Sequence, residues 1–205
     1  MKKLLFAAFF VLACQGAARG QPSFRQAPLS PEEQADLTHL YELEKLAAVV
    51  YENYYTFWPL PVFPLLNQGE ARLEQQAATE MIVYGVSYPP EAEGEVTFED
   101  PDLGLLYKGL LARGQEFVPT ALWVSAMLEE KIMGEVSAMQ ERTSHRDLGR
   151  LYRRVLRASK THLQLLERSL QELGVEYQEG QTLIPEEPLP PYGWVFAPEE
   201  APLLQ

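Results

Sequence analysis

The chain has 205 residues, a formal net charge of -12 and one cysteine, Cys14. That charge excludes ordinary nucleic-acid binding, because phosphate contacts need a concentrated basic surface that releases counterions. A lone cysteine leaves no internal disulfide, so stability has to come from packing, with or without a metal.

Lys2 and Lys3 precede an unbroken apolar run from Leu4 to Ala13. The run is too short for a permanent membrane helix, which needs about 20 residues, and has the pattern of a signal peptide over residues 1–20. Two processing patterns overlap there. Val11-Leu12-Ala13-Cys14 reads as a lipobox, which would make Cys14 a lipidated N-terminus and the chain's membrane contact, while Gly16-Ala17-Ala18 and Gly20 offer conventional cleavage. Either way the chain is expected to be exported: periplasmic, extracellular or lipid-anchored at the envelope. What remains is one domain's worth of sequence.

Ser30-Pro31-Glu32-Glu33 combines an N-cap serine, a proline at the first helical position and a glutamate three residues after the cap. The helix it starts should run to about Phe57, burying Leu37, Leu40, Tyr41, Ala47, Ala48, Tyr51, Tyr55 and Trp58, until Pro59, Pro61 and Pro64 stop it. A second helix is expected from about Pro64 to Tyr84, closed by Gly85 and burying Leu66, Leu73, Ala77, Met81 and Tyr84. Asp100-Pro101 starts a short connecting helix that ends before Gly114. The third long helix opens around Pro119 and buries Leu122, Ser125, Ile132, Val136 and Met139. The fourth opens at Ser144, buries Leu148, Leu151, Val155, Leu166, Leu170 and Leu173, and closes at Gly174.

The fold expected is all-α, a four-helix bundle over residues 30–175 with a short crossover helix. Residues 176–205 form a Pro/Glu-rich tail whose Tyr192, Trp194 and Phe196 should dock on the bundle, since aromatics are wasted in a solvated linker.

Each long helix places a polar residue in its apolar stripe: Glu44 in the first, Glu70 in the second, Glu129 in the third, and Ser159 with His162 in the fourth. A buried carboxylate is costly unless it is paired or bound to metal. Convergence of such residues from four helices suits either a carboxylate-and-histidine metal site or a buried hydrogen-bonded network. His39 and His145, near helix starts, read as surface residues. Arg150, Arg153, Arg154, Arg157 and Lys160 read as a solvated basic face. The aromatics Tyr51, Tyr54, Tyr55, Phe57 and Trp58 read as packing. No phosphate loop, serine-nucleophile elbow or cysteine nucleophile is found, so no catalytic residue is assigned.

Glu44-Lys45-Leu46-Ala47, Trp58-Pro59-Leu60-Pro61-Val62-Phe63, Gly69-Glu70-Ala71-Arg72, Tyr84-Gly85, Leu128-Glu129-Glu130 and Ser159-x-x-His162-Leu163 follow one another in an order that resembles a ferritin-like family, domain of unknown function family 2202. The resemblance covers roughly residues 36 to 175. It implies a ferritin-like bundle whose metal ligands fall on Glu44, Glu70, Glu129 or Glu130, and His162. Three positions depart from it: Leu73 stands where a histidine is expected, Leu43 where a second acid is expected, and Ile132 where an aspartate is expected. The implied centre is therefore reduced: one Fe, Mn or Zn ion, or none, and not a full oxygen-activating di-iron site. The alternative is a non-catalytic envelope or surface protein that uses the bundle as a scaffold for a protein partner or a second copy of itself.

Overall fold

Five helices follow in chain order: α1 (Pro31–Phe57), α2 (Val62–Tyr84), α3 (Pro101–Gly114), α4 (Val118–Arg142) and α5 (Arg146–Glu172). The computed structural model describes residues 27–89, 96–177 and 180, and there is no strand among them. The apolar N-terminal segment with Cys14 and the tail from Thr182 lie outside the described residues. None of the described helices is long and apolar enough to cross a membrane.

The helix ends follow from local chemistry. At the start of α1 the Glu33 amide donates to the Ser30 hydroxyl (3.1 Å) and the Ser30 amide donates to the Glu33 carboxylate (3.0 Å), a reciprocal capping box. Gly85 has φ +68°, and the Val86 amide reaches back to the Met81 carbonyl at 2.9 Å, closing α2. Gly174, at φ +76°, closes α5 in the same way, with Val175 donating to the Leu170 carbonyl and burying its side chain.

Three expectations need correction. Helix α2 begins at Val62, before Pro64, because a proline in a helix's first turn gives up an N–H that has no intrahelical acceptor. Helix α5 is capped at His145 and not at Ser144, whose amide faces the Glu33 carboxylate. Tyr55 is exposed, while Tyr54 is fully buried and donates to the Leu110 carbonyl (2.6 Å). The crossover helix α3 packs on the Tyr54 side of α1, so that side is the one that buries.

The long helices form a ring of neighbours: α1 against α2, α2 against α5, α5 against α4 and α4 against α1. Pairs such as His39 with Glu135 and Tyr51 with Glu129 run in opposite senses along α1 and α4, as do Gln76 with Arg154 and Tyr84 with Asp147 along α2 and α5. All four neighbouring pairs are thus antiparallel. Helices α2 and α4, across the diagonal, run parallel, so the chain must return the length of the bundle between them, and α3 lies on that return. Polar bonds fasten it to α1: Glu42 accepts from the Glu99 (2.5 Å) and Asp100 amides, and the Trp58 indole donates to the Gly114 carbonyl (2.6 Å). The carboxylates that are completely buried inside the ring gather at one level.

Candidate metal centre

At that level, Glu44 of α1, Glu70 of α2 and Glu129 of α4 are completely buried, and His162 of α5 is 8% exposed. His162 Nδ1 lies 2.5 Å from Glu70 Oε1 and 3.4 Å from Glu129 Oε1. One ligand atom from each of Glu70, Glu129 and His162 falls within 4.8 Å of the others, and this group could hold a metal ion. The Glu44 carboxyl lies against that of Glu70. Glu130, one residue on from Glu129 and so turned by about 100° around α4, faces outward and accepts from the Gly180 amide, outside the group.

The polar atoms here are underbonded. Both oxygens of Glu44 and of Glu70, Glu129 Oε2, Ser159 Oγ and His162 Nδ1 are buried without a well-directed hydrogen bond. The short His162–Glu70 approach is an ion-pair distance, but its geometry is off the imidazole N–H direction. Electrostatics follows from the crowding. Burial, and then the Glu70 carboxylate, push Glu44 well above the usual carboxylate range, so it keeps its proton. Burial likewise raises Glu129, to about 7. Burial would raise Glu70 as well, but the Glu44 carboxyl and the His162 imidazole beside it outweigh burial and hold Glu70 down. Burial would lower His162, but the two carboxylates beside it push it up to about 10. Without an ion, the cluster limits its charge by holding protons.

Tyr51 and Gly69 complete the setting, and neither stands out in the sequence. The Tyr51 hydroxyl donates to Glu129 Oε1 at 2.7 Å. Tyr51 follows Glu44 by seven residues, two helical turns, which is the one signal in the sequence that points to it. Gly69 is the seat of the imidazole: a Cβ there would lie 2.6 Å from both Cε1 and Nε2 of His162. Leu73 (4% exposed) and Ile132 (0%) put apolar carbon where the family resemblance implies ligands. Ser125 bonds back to the Ala121 carbonyl (2.7 Å).

The other two histidines are not simple surface residues. His39 lies between Glu135 of α4 (3.0 Å) and Asp100 at the start of α3 (3.4 Å). His145 joins Glu33 (2.9 Å) and the Ala27 carbonyl (3.1 Å) at one end of the bundle.

The model of a family described as "Uncharacterized protein domain (DUF2202)" matches residues 33–186. The chain belongs to that family. It is 26% identical over 155 residues to uncharacterized protein MJ0754 of Methanocaldococcus jannaschii, covering 76% of this chain and 84% of that protein. The crystal structure of hypothetical protein MJ0754 is similar to this fold with a TM-score of 0.73 and 25% identity, over 78% of this chain and 91% of that one. The fold is thereby shared with that relative.

Proposed function

We propose that this is an exported, ferritin-like bundle that binds one divalent transition-metal ion, Fe, Mn or Zn, between Glu70, Glu129 and His162, with Glu44 as a flanking carboxyl. The observation that carries the reading is the underbonded state of these buried groups. A buried polar group left without a well-formed bond costs about 1–3 kcal/mol, and one cation would partner Glu70, Glu129 and His162 together. Two carboxylates and one imidazole are a donor set suited to these metals. When bound, such an ion would supply a Lewis acid and, for iron or manganese, a one-electron couple. The chain's own residues would hold and orient it: Tyr51 would fix one Glu129 oxygen, and Gly69 would leave room for the His162 ring.

Export is supported by the Lys2-Lys3 start and the apolar run from Leu4 to Ala13. It argues against a cytosolic iron-storage role. A second reading, a scaffold without metal, draws on the apolar Leu73 and Ile132 beside the cluster. Elemental analysis of the purified protein, before and after incubation with each metal, together with melting curves, separates the two. About one ion per chain and a raised melting temperature are expected. No metal and no shift with Fe, Mn or Zn would sink the metal reading and leave the scaffold.

A further inference from the structure

The chain is strongly acidic, yet six of its 17 lysines and arginines lie on α5 between residues 146 and 160. All six are exposed. Arg146, Arg150 and Arg153 are spaced four and three residues apart, so they share one face of the helix. Together with Gln140, Ser144 and His145 they line a notch of about 360 Å³ where α4 turns into α5. Arg154 is engaged with the Gln76 side chain, whereas none of the three notch arginines makes an ion pair with another described residue. Glu80 is the acid whose charge is felt at Arg150 and Arg154. Three cations held together unpaired on an anionic protein repel one another, and a polyanion is what would relieve them.

Two further features lie at this same end. Residues 27–29, which precede α1, are fastened beside the notch, through Ala27 on His145 Nε2, Leu29 on the Gln34 amide, and burial of Leu29. The last turn of α2, tied to α5 by the Tyr84 hydroxyl on Asp147 (2.7 Å), exposes Ile82 (69%) and Val83 (55%).

From the arginine notch and the exposed aliphatic pair beside it, we infer that this end docks on an anionic phospholipid surface. Arg146, Arg150 and Arg153 take headgroup phosphates, and Ile82 and Val83 meet the boundary beneath them. Juxtaposed basic and aliphatic side chains are what binds a protein at a lipid interface. An acidic protein partner would match the charge but gives no role to the exposed Ile82 and Val83 beside the notch. The inference does not depend on a metal.

Sedimentation of the full chain with vesicles tests it. Binding to vesicles of phosphatidylcholine with 30% phosphatidylglycerol should exceed binding to neutral phosphatidylcholine vesicles, and 0.5 M NaCl should remove the excess. Arg146→Gln, Arg150→Gln and Arg153→Gln together should weaken binding to the anionic vesicles by on the order of 10- to 100-fold, at about one factor of five per charge near the surface. A charge-matched control, Arg72→Gln, Lys108→Gln and Arg168→Gln, should change it by less than about threefold. Ile82→Ser with Val83→Ser should weaken it further. All these side chains are exposed, so melting temperature and metal content should stay at wild-type values, which separates failure here from failure of the metal reading. Equal binding of the notch triple variant and the control triple variant, or no preference for anionic vesicles, overturns the inference. So does protection by 10 mM inorganic phosphate without vesicle binding, which would mark a small-anion site, or capture of acidic peptide in place of vesicles.

Discussion

Two clusters in this bundle use the same kinds of groups and reach opposite states. At the α1/α4/α5 end, the Glu33 carboxylate accepts from the Ser30 amide (3.0 Å), the Thr143 hydroxyl (2.9 Å) and His145 (2.9 Å). Asp147 beside it accepts from the Tyr84 hydroxyl and the Leu148 amide. At mid-bundle, the carboxylates of Glu44, Glu70 and Glu129 share one tyrosine and one histidine. The first cluster is complete and joins helices. The second is incomplete, and its incompleteness is what points to a ligand. A buried polar group earns a functional reading when its bonds do not add up.

The contrast predicts effects of opposite sign. Glu33→Ala should give the largest loss, about 2–4 kcal/mol, because it removes half of a capping box and leaves His145 without its carboxylate; a melting point within about 1 °C of wild type would break the comparison. The pH dependence has a definite direction. Burial alone would raise Glu33, but the bonds from His145, Ser30 and Thr143 outweigh it and hold it at about 2. A carboxyl lowered on folding contributes stability that is present above its unfolded value of about 4.5 and is lost as pH falls toward 2. The stability difference between wild type and Glu33→Gln should therefore shrink across that window in denaturant titrations. His145 is raised by the same contact, so its share is fully present below its ordinary value of 6.5 and fades as pH rises through the raised one.

Gly69→Ala comes next. The added carbon meets the His162 ring at 2.6 Å, and the ring must move off Glu70 and Glu129. Overpacking of this kind costs about 1–3 kcal/mol. Metal content should fall with stability; retention of both would show that the imidazole has another seat.

Much of this is legible in the amino-acid sequence, for identifiable reasons. Helix limits are carried by local chemistry: Ser30 with Glu33, Pro101 after Asp100, and glycines at 85 and 174. The cluster is legible because Glu44, Glu70, Glu129 and His162 each fall in an apolar stripe, and helical phase converts that spacing into burial. The rest depends on tertiary approach. Gly69 matters only because α5 presents an imidazole to it. Glu33 reads as a capping residue, but its bonds to Thr143 and His145 arise from two helices folding together. Pro61 and Pro64 read as stops, yet Val62 can start a helix between them. Glu129 and Glu130 are neighbours in sequence on different faces of α4.

Glu44→Leu reverses the sign of the Glu33 result. Glu44 is a neutral, fully buried carboxyl with no well-formed hydrogen bond, so an apolar side chain of similar size should raise metal-free stability by about 1–2 kcal/mol. The same change should weaken metal retention if the carboxyl flanks an ion. Destabilisation of the metal-free protein would mean that the cluster is already complete, like the one at the end of the bundle.

The smallest structural change tests the comparison most finely. Tyr51→Phe removes a single hydroxyl, the donor to Glu129 Oε1, and keeps the ring that fills the core. If the mid-bundle cluster were only structural, the loss would be that of one buried hydrogen bond, about 1 kcal/mol, and nothing else would change. If Glu129 is a ligand, the hydroxyl also orients it. Losing such a supporting bond typically costs on the order of 10- to 100-fold in metal affinity. Melting curves and metal titration on the same variant therefore give two numbers whose ratio decides the matter. A small stability loss with a large loss of affinity places Tyr51 in service of an ion, whereas a small loss in both returns the tyrosine to the core.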